Sequence, residues 1–321
     1  MKKKIKSPII LIFYNRPKKT KKLLNLIKKI NFSKVYIKVD GFKNLKDKKN
    51  VDLVCKEVLE FKKKYINKVK VIKENKNIGL QKNILNTIDW VLEREDRFIF
   101  LEDDHHPSES FFYFCDKYLE LYKNDDRVMQ IKGSCFLEKN SHDFYFSKYS
   151  DCIGWATWKN SWKKLVKSFN FFEIQKLKLI NYFFQSSNVS KWFNQYLYRE
   201  TITLKSKGLW STWFQLTLIK YNGLCISPMK NLVVHQGILK NTNSTHYDKS
   251  YELITKYKLQ NIDLDKLIKK DIKWNKSLDE ENFKIVKKTD PIFNIKNRFK
   301  WLIKYNLSIR FNKSLSASLK T

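Results

Sequence analysis

The stretch Arg97-Phe98-Ile99-Phe100-Leu101-Glu102-Asp103-Asp104 decides how the rest of the chain is read. Its apolar run is short, uninterrupted and rich in aromatic and β-branched residues, as in a strand of a sheet covered on both faces. The run ends abruptly in three carboxylates. Clustered carboxylates repel one another, so holding them at a sheet edge is costly unless a cation sits among them. Oxygen ligands favour hard ions, Mg²⁺ or Mn²⁺, which can in turn bridge a diphosphate. For the triplet taken alone, a solvated acidic turn is the plain alternative.

The same grammar recurs upstream. Pro8-Ile9-Ile10-Leu11-Ile12-Phe13-Tyr14 is an apolar run closed by Asn15-Arg16-Pro17, and Pro17 suits the first turn of a helix whose apolar stripe is Leu23, Leu24, Ile27 and Ile30. Val35–Val39 is a second strand ending at Asp40-Gly41, followed by a helix over about 51–66. Val69–Ile72 is a third, followed by Asn77-Ile78-Gly79 and a helix through Leu92. Strand and helix alternate four times, which predicts an α/β fold with a mostly parallel, Rossmann-like sheet and helices on both faces. Ligands of such sheets bind beyond the carboxyl ends of the strands. Asn15, Arg16, Asp40, Gly79 and the acidic triplet all fall on that rim. Asp40 can accept from a ribose hydroxyl or a base N–H, or can be the Asp of a simple Asp-Gly turn. Arg16 would face a phosphate or the acidic triplet itself, and Lys82 would assist an anion at the N-terminus of the following helix.

Downstream the pattern loosens. A helix over 108–123 is expected to be capped by Ser108. Val128–Ile131 reads as a strand, and Cys152-Ile153-Gly154-Trp155-Ala156-Thr157-Trp158 follows. A helical aromatic segment spans about 180–207, and a short helix runs from Trp210-Ser211 to Asn222-Gly223. Strands are expected at 224–227 and 231–236. The helical spacing of Trp155, Trp158 and Trp162 reads as a core stripe, while Trp155 beside Gly154 also suits sugar stacking. A first unit of 1–255 is thus followed by a Lys-rich extension, 256–321, in which Ile295, Phe299, Leu302 and Ile303 share one helical face.

Composition excludes several classes. With 7 Gly and 5 Pro among 321 residues the chain is neither collagen-like nor a Pro/Gly-rich disordered polymer. Five scattered cysteines without a CxxC pair argue against a disulfide scaffold or zinc ribbon and fit a reducing compartment. No run is long enough for a membrane span, and the basic N-terminus lacks the features of a signal peptide. The expected location is the cytoplasm, with the option of peripheral attachment to the inner face of the membrane. A net charge of +33 points to a polyanionic partner. Only seven of the 65 basic residues are Arg, however, and heavy use of Lys, Asn and Ile also follows from A/T-rich coding. Phosphate- and base-reading proteins favour Arg for its bidentate fork, and no nucleic-acid-binding motif is present, so no nucleic-acid partner is expected. The basic C-terminus suits an anionic membrane surface or a solvated face of a packed helix.

Taken together and in order, PIILIFYNRP, KVYIKVDG, NKNIGL, FIFLEDD, CIGWATW, GLWSTW, NGLCISP and THY resemble the metal-dependent nucleotide-sugar glycosyltransferases of the GT-A fold, specifically the bacterial family related to N-acetylglucosaminyltransferase I. The resemblance covers about 8–247. It implies transfer of a sugar from a nucleotide-diphosphate donor, UDP-linked, to a saccharide or lipid-linked acceptor in surface-glycan synthesis, with Mn²⁺ or Mg²⁺. Asn15, Arg16 and Asp40 would hold the nucleotide, and Glu102-Asp103-Asp104 would be the DxD-type motif, with Asp104 on the metal. Gly154 and Trp155 would shape the sugar pocket, and His246 would contact the diphosphate. In eukaryotic relatives a Trp-Asp pair supplies the catalytic base. Trp210-Ser211 stands there in this chain, as in some bacterial members, and a Ser hydroxyl is a poor base. Asp151, Glu200 and His235 are the candidate substitutes, Asp151 foremost. A catalytically impaired relative that only binds nucleotide sugar or glycan, and a basic nucleic-acid-binding protein, are the alternative functions.

Overall fold

The computed structural model describes residues 3–137, 139, 141–165, 178–198, 210–236 and 257–289. Glu200, His246 and the amphipathic segment around 293–305 lie outside the described residues. The N-terminal half alternates β1 (Ile9–Phe13), α1 (Pro17–Ile27), β2 (Val35–Val39), α2 (Leu45–Lys64), β3 (Val69–Lys73), α3 (Leu80–Leu92) and β4 (Arg97–Glu102). Then come β5 (His105–Pro107), α4 (Glu109–Leu121), β6 (Val128–Lys132), β7 (Phe144–Ser147), β8 (Trp155–Trp158) and α5 (Lys159–Lys163). The remaining described elements are α6 (Leu179–Phe184), α7 (Ser187–Tyr198), α8 (Trp210–Tyr221), β9 (Leu224–Pro228), β10 (Val233–His235) and α9 (Lys276–Thr289).

Among the described residues, eight strands form one sheet in the order β3-β2-β1-β4-β8-β6-β9-β7, and β10 pairs with β5 in a separate ribbon. β1 to β4 are mutually parallel, and β6 and β9 share their direction. Within this sheet β8 and β7 run against them. The expected α/β fold, Rossmann-like and of GT-A type, is therefore present. All five β1 residues are buried, because alternate side chains serve opposite faces. Ile9, Leu11 and Phe13 join a core with α1, α2 and α4, whereas Ile10 and Ile12 join a second core with α3 and the helices after α5.

Three local readings change. The helix after β2 begins at Leu45, ahead of the expected 51, because the Asn44 side chain accepts the Asp47 N–H at 3.1 Å and caps it early. Ser108 occupies the cap position of α4, but its hydroxyl pairs with Ser110 at 3.1 Å instead of the helix backbone. Trp155 to Trp158 form a strand, not a helical stripe. The chain turns into α5 before Trp162, which brings the Trp155 and Trp162 rings to 6.0 Å. Gly154, just ahead, has φ of 60°, and a Cβ there would come within 2.7 Å of Val233.

The described residues from 257 onward lie against the body and strap α4. Tyr118 Oη donates to the Ile268 carbonyl at 3.3 Å and Tyr122 Oη to that of Lys270 at 2.9 Å, while Lys117 Nζ donates to the carbonyls of Leu264 and Leu267. α9 then docks against β7. Among the described residues no helix is long and apolar enough to cross a membrane.

Candidate functional site

The carboxyl ends of β1, β2 and β4 meet at one rim, since Ile12 pairs with Glu102 and Phe13 with Val39. Arg16, the residue before α1, donates from Nη1 to Asp103 Oδ1 at 2.8 Å and to Asp104 Oδ2 at 2.9 Å. Of its two expected roles, the described contact is with the acidic triplet. Asn15 donates to Asp47 Oδ1 at 2.9 Å, and Tyr14 Oη to Asp47 Oδ2 at 2.7 Å. Asp40 is buried and fully engaged: Oδ1 accepts the N–H groups of Gly41 at 2.9 Å and Ile78 at 3.0 Å, and Oδ2 accepts Asn77 Nδ2 at 3.0 Å. It clasps the loop that leads to Gly79 at the start of α3. A Cβ on Gly41 would fall 2.4 Å from the Lys76 backbone, so the clasp needs glycine there. Lys82 is exposed on the first turn of α3.

Burial sets the electrostatics of the triplet. It pushes the Glu102 carboxyl up to about 8, helped by the charges of Asp104 and Asp103. Asp103 is also raised by burial, to about 6, against the pull of Arg16. For Asp104 burial is again the largest influence and acts upward, but His235, His105, Arg16 and Lys19 together outweigh it and leave the group below its ordinary value. Asp104 is therefore the one of the three whose anionic form its surroundings favour most.

Two histidines flank it. The β5–β10 ribbon pairs His105 with His235, and their Nε2 atoms lie 3.9 Å and 3.8 Å from Asp104 Oδ1. Ligand atoms of Asp104, His105 and His235 lie within 4.8 Å of one another, so the carboxylate and imidazole donors converge on one point. Of that set Asp104 and His235 fit a divalent transition ion such as Mn²⁺, whereas the Nδ1 of His105 is taken by a backbone N–H. His105 is held neutral, with burial taking it down to about 3, and its Nδ1 accepts the Glu102 N–H at 3.0 Å. The proton of the neutral ring is then on Nε2, which lies 3.9 Å from Asp104 Oδ1. Sequence reasoning passed over His105; the His-His pair directly after the triplet was the available signal.

Beside the rim lies a cavity of about 270 Å³ whose walls include Lys132, Ser134, Tyr149, Asp151, Cys152, Trp192, Tyr196, Ser211, Gln215 and Asn282. It brings together Asp151 and Ser211, two of the expected catalytic positions. Asp151 is locked in place: Gln130 bonds its backbone on both sides, Ile153 N–H donates to Oδ1 at 3.0 Å, and the Ser134 hydroxyl donates to Oδ2. The Ser211 hydroxyl lies at the first turn of α8. Trp210, next to it, is buried and stacks on Trp155 at 5.1 Å. Trp155 itself is fully buried, its ring stacked against both Trp162 and Trp210. No ring face is left for a sugar; Gly154 and Trp155 support the site from beneath. His235, the other described candidate base, belongs to the Asp104 cluster and not to the cavity. The two regions adjoin, for the charges of Asp104 and Asp151 both act on His235 and on Cys152.

No protein-family model and no curated protein matches this sequence. Among solved structures the chain is similar to mannose-1-phosphate geranyltransferase from Thermus thermophilus, at 9% identity and a TM-score of 0.31 over 50% of this chain and 59% of that one. It is likewise similar to UDP-glucose pyrophosphorylase complexed with UDP-glucose, at 9% identity and a TM-score of 0.28 over 50% of this chain and 80% of the other. The chain thus spans little more than half the length of the first of these. Likeness at this level carries no argument about chemistry.

Proposed function

We propose that this protein is a metal-dependent glycosyltransferase that moves a sugar from a nucleotide-diphosphate donor, probed as UDP, to a saccharide or lipid-linked acceptor in surface-glycan synthesis. One observation carries the reading. An anionic Asp104 flanked by two histidines adjoins a polar-floored, aromatic-walled cavity that contains a positioned carboxylate, Asp151.

Asp104, with His235 beside it, would hold Mn²⁺ or Mg²⁺, and such an ion would neutralise charge on the departing diphosphate. His105 lies beside Asp104, its ring held by the Glu102 N–H. Arg16 holds Asp103 and Asp104 together and lies where it can turn toward a phosphate. Asn15 and the loop clasped by Asp40 border the nucleotide's place at the strand ends. In the cavity Asp151 accepts the proton of the acceptor hydroxyl as general base. Its Oδ2 is already oriented by Ser134, and Ser211 faces the same space. Attack would follow from the cavity side while the diphosphate leaves on the rim side.

Thermal stabilisation by UDP tests the donor site, with Mn²⁺ or with EDTA, on wild type and Asp104→Ala. At a hundredfold excess over Kd, stabilisation of about 2.7 kcal/mol is expected with metal, and none with EDTA or in the variant. No shift with any nucleoside diphosphate would sink the proposal. A second reading, a relative that binds nucleotide sugar or glycan without turnover, is favoured by Ser211 in place of a carboxylate. Hydrolysis or transfer of a bound donor, measured as UDP release that ceases in Asp151→Asn, separates the two.

A further inference from the structure

The cavity wall holds a charged group for which the proposed reaction has no use. Lys132 is buried, with 4% exposure, yet its ammonium makes one long hydrogen bond, to Ser147 Oγ at 3.4 Å. A buried ammonium has three donors to satisfy, two of them have no acceptor among the described residues, and Lys132 lines the cavity. The charge of buried Asp279 acts on both Lys132 and Lys148, so one carboxylate is shared by two ammonium groups, and its hydrogen bonds come from other donors. Asp279 accepts from Ser147 Oγ at 2.6 Å, Lys148 N–H at 2.7 Å and Trp274 Nε1 at 2.7 Å. On the same wall, buried Asn282 presents an Oδ1 with no donor. These are unused hydrogen-bonding groups of opposite kind in one enclosed space.

The strand fixes their placement. Gln130, Lys132 and Ser134 alternate along β6 and its extension, and both Gln130 and Ser134 bond Asp151. Lys132 therefore lies on the same face of the strand, between the two residues that bond Asp151, and lines the same cavity. Trp192 and Tyr196, stacked at 5.7 Å, provide an apolar wall. We infer that the cavity selects a saccharide bearing a carboxylate, such as a uronic acid residue, with the carboxylate on Lys132, a hydroxyl on Asp151 and a donor hydroxyl on Asn282 Oδ1. With Asp279 shared between Lys132 and Lys148, one further carboxylate balances the second ammonium, whereas a phosphate dianion would exceed it in a buried site. This assignment rests on the glycosyltransferase reading for its choice of a sugar ligand.

Binding of methyl β-D-glucuronide and methyl β-D-glucoside is compared by ligand-observed NMR titration on wild type, Lys132→Gln and Lys132→Arg, with the UDP–Mn²⁺ thermal shift recorded on each protein. Wild type is expected to prefer the glucuronide by about tenfold, as one charge-assisted hydrogen bond provides. Lys132→Gln should bind both sugars alike, and Lys132→Arg should keep a preference for the acid. Equal binding of the two sugars to wild type overturns the inference even if a variant fails to fold, as does a preference that survives in Lys132→Gln. The UDP shift keeps the two readings apart. A shift without acid preference removes only the carboxylate assignment, and acid preference without a shift removes only the donor site.

Discussion

Glu102 shows how much of this site is decided by surroundings that a single residue cannot reveal. It is a surface-type residue by composition, yet half-buried beside two further carboxylates its pKa is raised from 4.5 to about 8. Folding therefore favours the protonated carboxyl. The stability this lends is whole below pH 4.5 and is lost as the pH rises through about 8. Relative to wild type in EDTA, Glu102→Gln should gain on the order of 2 kcal/mol between about pH 5 and about pH 9, read from urea unfolding at each pH. An unchanged difference between the two pH values would show that Glu102 is solvated. At Asp151 the expectation is kinetic. Asp151→Asn should lower kcat by about a hundredfold or more while leaving the UDP–Mn²⁺ thermal shift intact, because the group touches the acceptor and not the donor.

At the scale of elements, the β3–α3 connection depends on Asp40. The motif Asp40-Gly41 followed by Asn77-Ile78-Gly79 was legible as a rim feature, and Asp40 and Asn77 are 37 residues apart. Nothing in the sequence says that one carboxylate bonds both parts. Asp40→Ala leaves the N–H groups of Gly41 and Ile78 and the Asn77 amide without their acceptor, at a cost of about 1–3 kcal/mol. The loss should fall on the loop, so hydrogen exchange at 76–80 should accelerate more than exchange in β1. Uniform acceleration would mean that the clasp is global. The strands around it were legible because each is a short apolar run with a polar end. β7 was not, since Phe144-Tyr145-Phe146-Ser147 is held in the sheet by β9, far along the chain. The Trp155–Trp158 strand was read as helical because three Trp at helical spacing give the same pattern whether the chain continues or turns.

At the scale of the whole molecule, the segment 257–289 closes the structure. Asp279 accepts three hydrogen bonds that join α9 to β7 and Trp274, and its charge acts on the buried Lys132 and Lys148. Asp279→Ala removes the shared counter-charge and should lower the urea midpoint by the equivalent of about 3 kcal/mol, with an unchanged m-value. α9 also carries Asn282 and Phe283 to the cavity, so the same variant should weaken sugar binding. Intact sugar affinity in a destabilised Asp279→Ala would separate the helix's structural role from its role as a cavity wall.

By itself, the sequence determined the periodicities: four strand–helix units, hence a sheet covered on both faces, and the polar residues at the strand ends, hence one rim. These follow from local rules, because alternation and apolar run length act over a few residues. Tertiary structure alone decided which carboxylate is most favoured as an anion, since Glu102, Asp103 and Asp104 are neighbours in the chain and differ chiefly in what surrounds them. It also decided that His105 and His235 meet across the β5–β10 ribbon, and that Asp151, Ser211, Lys132 and Asn282 enclose one cavity. Burial, charge and hydrogen-bond partners at these positions come from segments tens to more than a hundred residues away, and no local pattern encodes that distance.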